Sequence, residues 1–271
     1  MDTRTVEAAG QQIAFRQSEG VGRGVILVHG NSSSSRTWDR LLTGPFGSRF
    51  RCLALDLPGH GQSAPAASQD TYSLPGYAVV LTEFAAALGA EDAVFAGWSL
   101  GGHIVLEAAP ALPRAAGFVI FGTPPVASAD QMAVAFLPNP AMNTGFTAQV
   151  SLEEARNYAA SFVEPGSSLP LDSFVADILA TDGNARAGLL ASIGAGRFAD
   201  EVAIVAGLPQ PLAIVQGAGE QLVSLDYLRT VTAPGLWRGE VQLISGAGHA
   251  PQQENPDTLT SLLEQFITSL G

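Results

Sequence analysis

The run Gly97-Trp98-Ser99-Leu100-Gly101-Gly102 sets a serine among glycines, directly after an apolar segment and at the start of a helical one. That is the context of the G-x-S-x-G nucleophile elbow. So tight a turn from strand to helix needs neighbours with almost no side chain, and it holds the serine in strained backbone with its hydroxyl exposed. Ser99 also gains the positive end of the following helix dipole. A glycine-rich helix start is the plain alternative, and the strand-turn-helix setting favours the nucleophile.

A serine hydroxyl attacks poorly until an imidazole takes its proton, so a histidine is expected in a strand-end loop late in the chain. Four histidines are available. His29 ends an apolar run, His60 lies in the turn Pro58-Gly59-His60-Gly61, and His103 falls inside the helix after the elbow. His249 remains, in Gly246-Ala247-Gly248-His249-Ala250-Pro251 after the last apolar run. The third member must be a carboxylate between Ser99 and His249 in chain order. Glu220, in Gly217-Ala218-Gly219-Glu220, is the acid at that strand end; Asp226 competes but falls in the next predicted helix. The turn Gly122-Thr123-Pro124-Pro125 after the preceding strand offers no acid.

Attack on a carbonyl leaves an oxyanion, which calls for two preorganised N–H donors. The amide of Leu100 follows the nucleophile directly. The loop His29-Gly30-Asn31-Ser32-Ser33-Ser34 provides the second, at Asn31, while its serines are free to cap a helix starting near Trp38.

These residues need a scaffold of strand ends. Continuous apolar runs at 24–29, 52–56, 93–98, 117–121, 212–216 and 241–244 read as buried parallel strands. Residues 4–8 and 12–17 alternate and read as an edge hairpin. Helical spacing covers 76–88, 100–111, 225–231 and 256–270. The predicted fold class is therefore α/β, a mostly parallel twisted sheet with helices on both faces. From 124 to 207 the alternation stops, and Met132, Phe136, Met142, Phe146, Tyr158, Phe162, Phe174 and Leu189 read instead as an inserted helical cap. The expected organisation is a core of 1–123 and 208–271 with a cap of 124–207.

Together, His29-Gly30-Asn31, Asp56-Leu57-Pro58-Gly59-His60-Gly61-Gln62-Ser63, the elbow and Gly248-His249 resemble the α/β-hydrolase superfamily from about residue 20 onward. Within it the chain is similar to the AidH-type N-acyl-homoserine lactonases, which also have a glutamate as the acid where most of the superfamily has aspartate. The resemblance implies a serine hydrolase that opens the lactone ring of N-acyl-homoserine lactones. Asn31 and Leu100 would be its oxyanion donors and Tyr158 would lie near the polar head of the substrate. Phe136 and Met142 of the cap are expected in the acyl slot, as is Trp98 in the pocket wall, although Tyr158 and Trp98 equally suit packing roles. A general carboxylesterase, an acylase and a non-catalytic small-molecule receptor are the competing readings.

Composition narrows the partners. The 271 residues hold 25 acidic and 13 basic side chains for a net charge of −12, which repels nucleic acid and anionic lipid. All 13 basic residues are arginine, so Schiff-base lysine chemistry and phosphate-loop lysines are excluded. The single Cys52 forms no internal disulfide, and the scattered histidines include no H-x-H pair, so no metal and no cofactor is called for. With no apolar leader among the first 25 residues and no stretch long enough to span a bilayer, a soluble cytoplasmic protein is expected, its partner a small neutral acylated lactone or ester.

Overall fold

Ala9 and Gly10 take φ of 52° and 70°, a two-residue turn whose twist suits a hairpin. It folds β1 (Thr3–Ala8) antiparallel onto β2 (Gln11–Gln17). The computed structural model describes residues 2–271. The remaining strands are β3 (Gly22–Val28), β4 (Phe50–Leu55), β5 (Val94–Trp98), β6 (Gly117–Phe121), β7 (Leu212–Gly217) and β8 (Gln242–Ile244). They form one eight-stranded sheet in the order β1-β2-β4-β3-β5-β6-β7-β8, parallel from β4 to β8 and antiparallel at the hairpin end. This is the α/β-hydrolase fold. Strands β5 and β6 are buried along their whole length because helices cover both faces, which is why their sequences are apolar without alternation.

The helices run α1 (Asp39–Thr43), α2 (Pro45–Arg49), α3 (Leu74–Ala87) and α4 (Leu100–Ala108) before β6. Then come α5 (Ala129–Ala135), α6 (Leu152–Ala160), α7 (Asp172–Ala180), α8 (Gly183–Gly194) and α9 (Glu201–Gly207), with a 3₁₀ segment at Pro140–Phe146. After β7 follow α10 (Leu225–Leu228), α11 (Pro251–Glu254) and α12 (Pro256–Ser269). Most boundaries shift by one to three residues, and two places differ more. The helix expected at 225–231 stops at Leu228, and the stretch after the serine run forms a 3₁₀ turn capped by Ser34, with α1 and α2 behind it. Pro45 starts α2 by occupying its first turn, where a missing N–H costs nothing.

The helical segment between β6 and β7 is tied to the loop after β3 by polar contacts. Asn31 Nδ2 donates to the Gly145 carbonyl at 2.6 Å, and Ser34 Oγ donates to Asp177 Oδ2 at 2.7 Å. Arg36 pairs with the same carboxylate. The buried Arg186 guanidinium on α8 donates to the carbonyls of Thr147 (2.7 Å), Ile178 (3.0 Å) and Ala148 (3.1 Å) and to Ser32 Oγ (3.3 Å). Its burial is tolerated because its donors find acceptors.

Cys52 is buried in β4, and that burial pushes its thiol up to about 12 despite a contact with Ser18. Among the described residues no helix is long and apolar enough to cross a membrane, and no group of three or more His, Cys, Asp or Glu is placed to hold a metal ion.

Candidate active site

Ser99 stands between β5 and α4 with φ 55° and ψ −122°, a backbone region that a side chain other than glycine rarely enters. The strain is held in place from several sides. The Ser99 amide donates to Phe121 O at 2.9 Å and the Thr123 hydroxyl donates to Ser99 O at 2.8 Å. A methyl group on Gly97 would strike the Gly101 carbonyl, and one on Gly101 would strike the Val28 carbonyl. Only glycines permit this crossing of β5, α4 and the end of β3.

The loop after β3 runs directly beside Ser99. A Cβ on Gly30 would lie 3.1 Å from Ser99 Cβ and 3.0 Å from the Trp98 ring. This brings Asn31 to the cavity that Ser99 and Leu100 line. As the first residue of α4, Leu100 has an amide N–H without an acceptor inside its own helix.

His249 reaches the same cavity from the loop after β8. Its ring rests on Gly122, where a Cβ would lie 2.7 Å from His249 Cε1. Trp98 Nε1 donates to His249 O at 2.7 Å, and Ala250 N donates to Phe162 O at 2.7 Å, so the loop is pinned on both sides of the imidazole. Glu254 fixes it further by accepting from Gly248 N at 2.6 Å and from Glu164 N at 3.0 Å. Glu220 Oε2 lies 2.8 Å from His249 Nδ1, while Oε1 accepts from Leu222 N at 2.7 Å. A carboxylate only accepts, so Nδ1 carries the proton and Nε2 is left with its lone pair. Both side chains are nearly sealed, at 2% and 3% exposure. Buried His249 Nε2 has no hydrogen-bond partner among the described residues, and the Ser99 hydroxyl is not within bonding geometry of it. In an unliganded site that contact is commonly loose.

The cavity is about 410 Å³ and mostly apolar, within the usual range for small-molecule sites. Of the expected substrate contacts, Tyr158, Phe136 and Met142 line it. Burial pushes the Tyr158 phenol up, with the Arg186 charge pulling it back. A Cβ on Gly145 would lie 2.6 Å from that hydroxyl, so the 3₁₀ segment packs closely on it. Trp98 takes the packing role. It is 1% exposed and does not reach the cavity; its ring packs edge-on against Phe162 and its indole N–H holds the His249 loop. Two groups escaped the sequence reading. Glu254 has no local signature, whereas His103 stands one turn beyond Ser99 and lines the cavity, a placement that the four-residue spacing signals.

Residues 25–262 match the family described as "Alpha/beta hydrolase family". The chain belongs to that family. Among solved structures it is similar to the N-acyl homoserine lactonase AidH complexed with N-butanoyl homoserine, at 37% identity and TM-score 0.94 over 100% of this chain and 97% of that one. A variant of AidH complexed with N-hexanoyl homoserine lactone gives 36% identity and TM-score 0.95, covering 100% of this chain and 98% of that one. Among curated proteins, the pimeloyl-[acyl-carrier protein] methyl ester esterase of Xanthomonas axonopodis pv. citri is 27% identical, with 93% of this chain and 97% of that protein aligned. Its counterpart from Methylococcus capsulatus is also 27% identical, over 94% and 98%.

Proposed function

We propose that this hydrolase opens the lactone ring of N-acyl-homoserine lactones through a Ser99-His249-Glu220 triad. The observation that carries the reading is a strained, cavity-facing Ser99 in the same apolar pocket as an imidazole whose Nδ1–H is held by Glu220. Similarity to AidH structures complexed with acyl homoserine compounds supports the choice of substrate. Residues 124–207 act as the cap that roofs this pocket.

Substrate entry draws Ser99 Oγ onto His249 Nε2, which takes the hydroxyl proton as the oxygen attacks the lactone carbonyl. The amides of Asn31 and Leu100 hold the oxyanion. When the carbonyl re-forms, the ring C–O bond breaks and His249 returns the proton to the departing alkoxide, leaving an ester of Ser99 whose tail carries the new hydroxyl. Because that hydroxyl stays tethered, it can re-close the ring at high effective concentration. His249 must therefore activate water promptly, and hydrolysis releases an acyl-homoserine carboxylate. Net charge −12 disfavours this anion relative to the neutral lactone, though salt screens exposed charges beyond about 8 Å.

The esterase relatives favour a second reading, general hydrolysis of carboxylic esters by the same residues. Mass spectrometry of an acyl-homoserine lactone incubated with the protein separates them. Gain of one water that reverses on acidification is expected. An unchanged lactone beside turnover of a simple alkyl ester would leave the esterase reading, and release of free homoserine lactone would mark an acylase. Unchanged lactone and no ester turnover would point to a receptor.

A further inference from the structure

The cavity holds a second histidine–glutamate pair that the triad does not use. His103 lies on α4 four residues beyond Ser99, and its Nδ1 is 2.8 and 2.9 Å from the two carboxylate oxygens of Glu201. Glu201 is fully buried at the start of α9 and accepts a second hydrogen bond from Val126 N at 3.0 Å. The imidazole itself is 13% exposed and its ring centroid is 6.2 Å from that of Phe136 on the cavity wall. Its Nε2 has no hydrogen-bond partner among the described residues, and the side chain lines the cavity beside Phe136. A purely structural link between α4 and α9 would not require the far nitrogen to stay open amid Val126, Met132 and Phe136.

Orientation fixes what that nitrogen does. A carboxylate accepts, so Nδ1 carries a hydrogen whatever the charge of the ring, and Nε2 is an acceptor when it carries none. Four helical residues advance about 6 Å along the axis. In an N-acyl-homoserine lactone, five bonds separate the attacked carbonyl carbon from the third carbon of the acyl chain, also about 6 Å when extended. We propose that His103, oriented by Glu201, is a specificity-determining residue whose Nε2 accepts a hydrogen bond from a hydroxyl on the third acyl carbon and disfavours a carbonyl there. The proposal rests on the lactonase reading. A keto oxygen at that carbon has no hydrogen to give and would set lone pair against lone pair. An unsubstituted chain leaves Nε2 without a partner.

The test compares ring opening of N-hexanoyl, N-(3-hydroxyhexanoyl) and N-(3-oxohexanoyl) homoserine lactones by the wild type, His103→Leu and Glu201→Gln, with circular dichroism as the fold control. In the wild type KM is expected to be about tenfold lower for the hydroxy than for the oxo chain, with kcat differing little, the mark of binding shared by ground and transition states. His103→Leu should bring that KM ratio to about one. Glu201→Gln presents an amide that can donate to Nδ1, which moves the ring hydrogen to Nε2 and should invert the ratio in favour of the oxo chain. A wild-type ratio near one, or a ratio that His103→Leu leaves unchanged, overturns the assignment. So does inversion failing in a folded Glu201→Gln; if that variant does not fold, His103→Leu and His103→Phe decide alone. Should the wild type open none of the three lactones while hydrolysing p-nitrophenyl butyrate, the lactonase reading itself has failed. If it opens all three without discrimination, that reading stands and only the role of His103 falls.

Discussion

The proposed triad of Ser99, His249 and Glu220 could be picked from the sequence because each is defined by chemistry plus a strand end, and strand ends announce themselves in the sequence. Replacing Ser99 or His249 by alanine is expected to lower kcat on a lactone by about 10³-fold or more, with unchanged circular dichroism, and Glu220→Ala somewhat less. Of the two roles the sequence left open for Trp98, the structure favours packing: its ring lies against Phe162 and its indole N–H holds the His249 loop. His29 carries a different prediction. Burial pulls it down to about 4, and its Nε2 accepts from Leu57 N at 3.0 Å, a bond that only the unprotonated nitrogen can make. Burial likewise pulls His60 down to about 3, with the nearby His29 ring contributing. Between about pH 6.5, where an unfolded histidine titrates, and pH 4 the unfolded chain binds more protons than the folded one. Stability therefore falls as pH drops through that window, by at most about 1.4 kcal/mol per pH unit for each site. His29→Gln should flatten the dependence of the melting midpoint on pH between 6.5 and 4.5; an unaltered slope would show that His29 is not responsible.

At the scale of elements, the strands were readable because burial on both faces leaves no room for a polar alternation. Helix existence was readable too, except where length fell below two turns. The five-residue helices α1 and α2 carry too few positions for a 3.6 period to emerge. Packing between elements was not readable, since a carbonyl such as Gly145 O has no sequence signature, yet it receives the Asn31 side chain. Gly145 lies so close to the Tyr158 hydroxyl and to Asn31 Nδ2 (2.6 and 3.0 Å from an added Cβ) that Gly145→Ala must displace the 3₁₀ segment or the loop after β3. We expect kcat/KM to fall about tenfold or more while the urea midpoint moves little, because the displaced parts flank the proposed oxyanion donors rather than the core. Equal losses in activity and stability would argue instead for general collapse of the segment.

For the whole molecule, Arg186 gathers the backbone of the segment between β6 and β7 and reaches the loop after β3 through Ser32. Arg186→Met retains much of the apolar volume but removes the donors to Thr147, Ala148 and Ile178, of which the Ile178 carbonyl is the buried one, and a buried acceptor left unpaired costs about 1–3 kcal/mol. A loss of about 1–3 kcal/mol is expected in chemical denaturation, with faster amide exchange across 140–148 than in β5. No pattern in the sequence marked that arginine, because its backbone acceptors come from two separate stretches, 147–148 and 178. The sheet has one further consequence at this scale. Cys52 is the lone sulfhydryl of the chain, walled into β4 and held in its unreactive protonated form. Ellman's reagent can reach it only after the central strands part, so the slow yellowing of a native solution counts openings of the entire architecture, without any label having to be introduced.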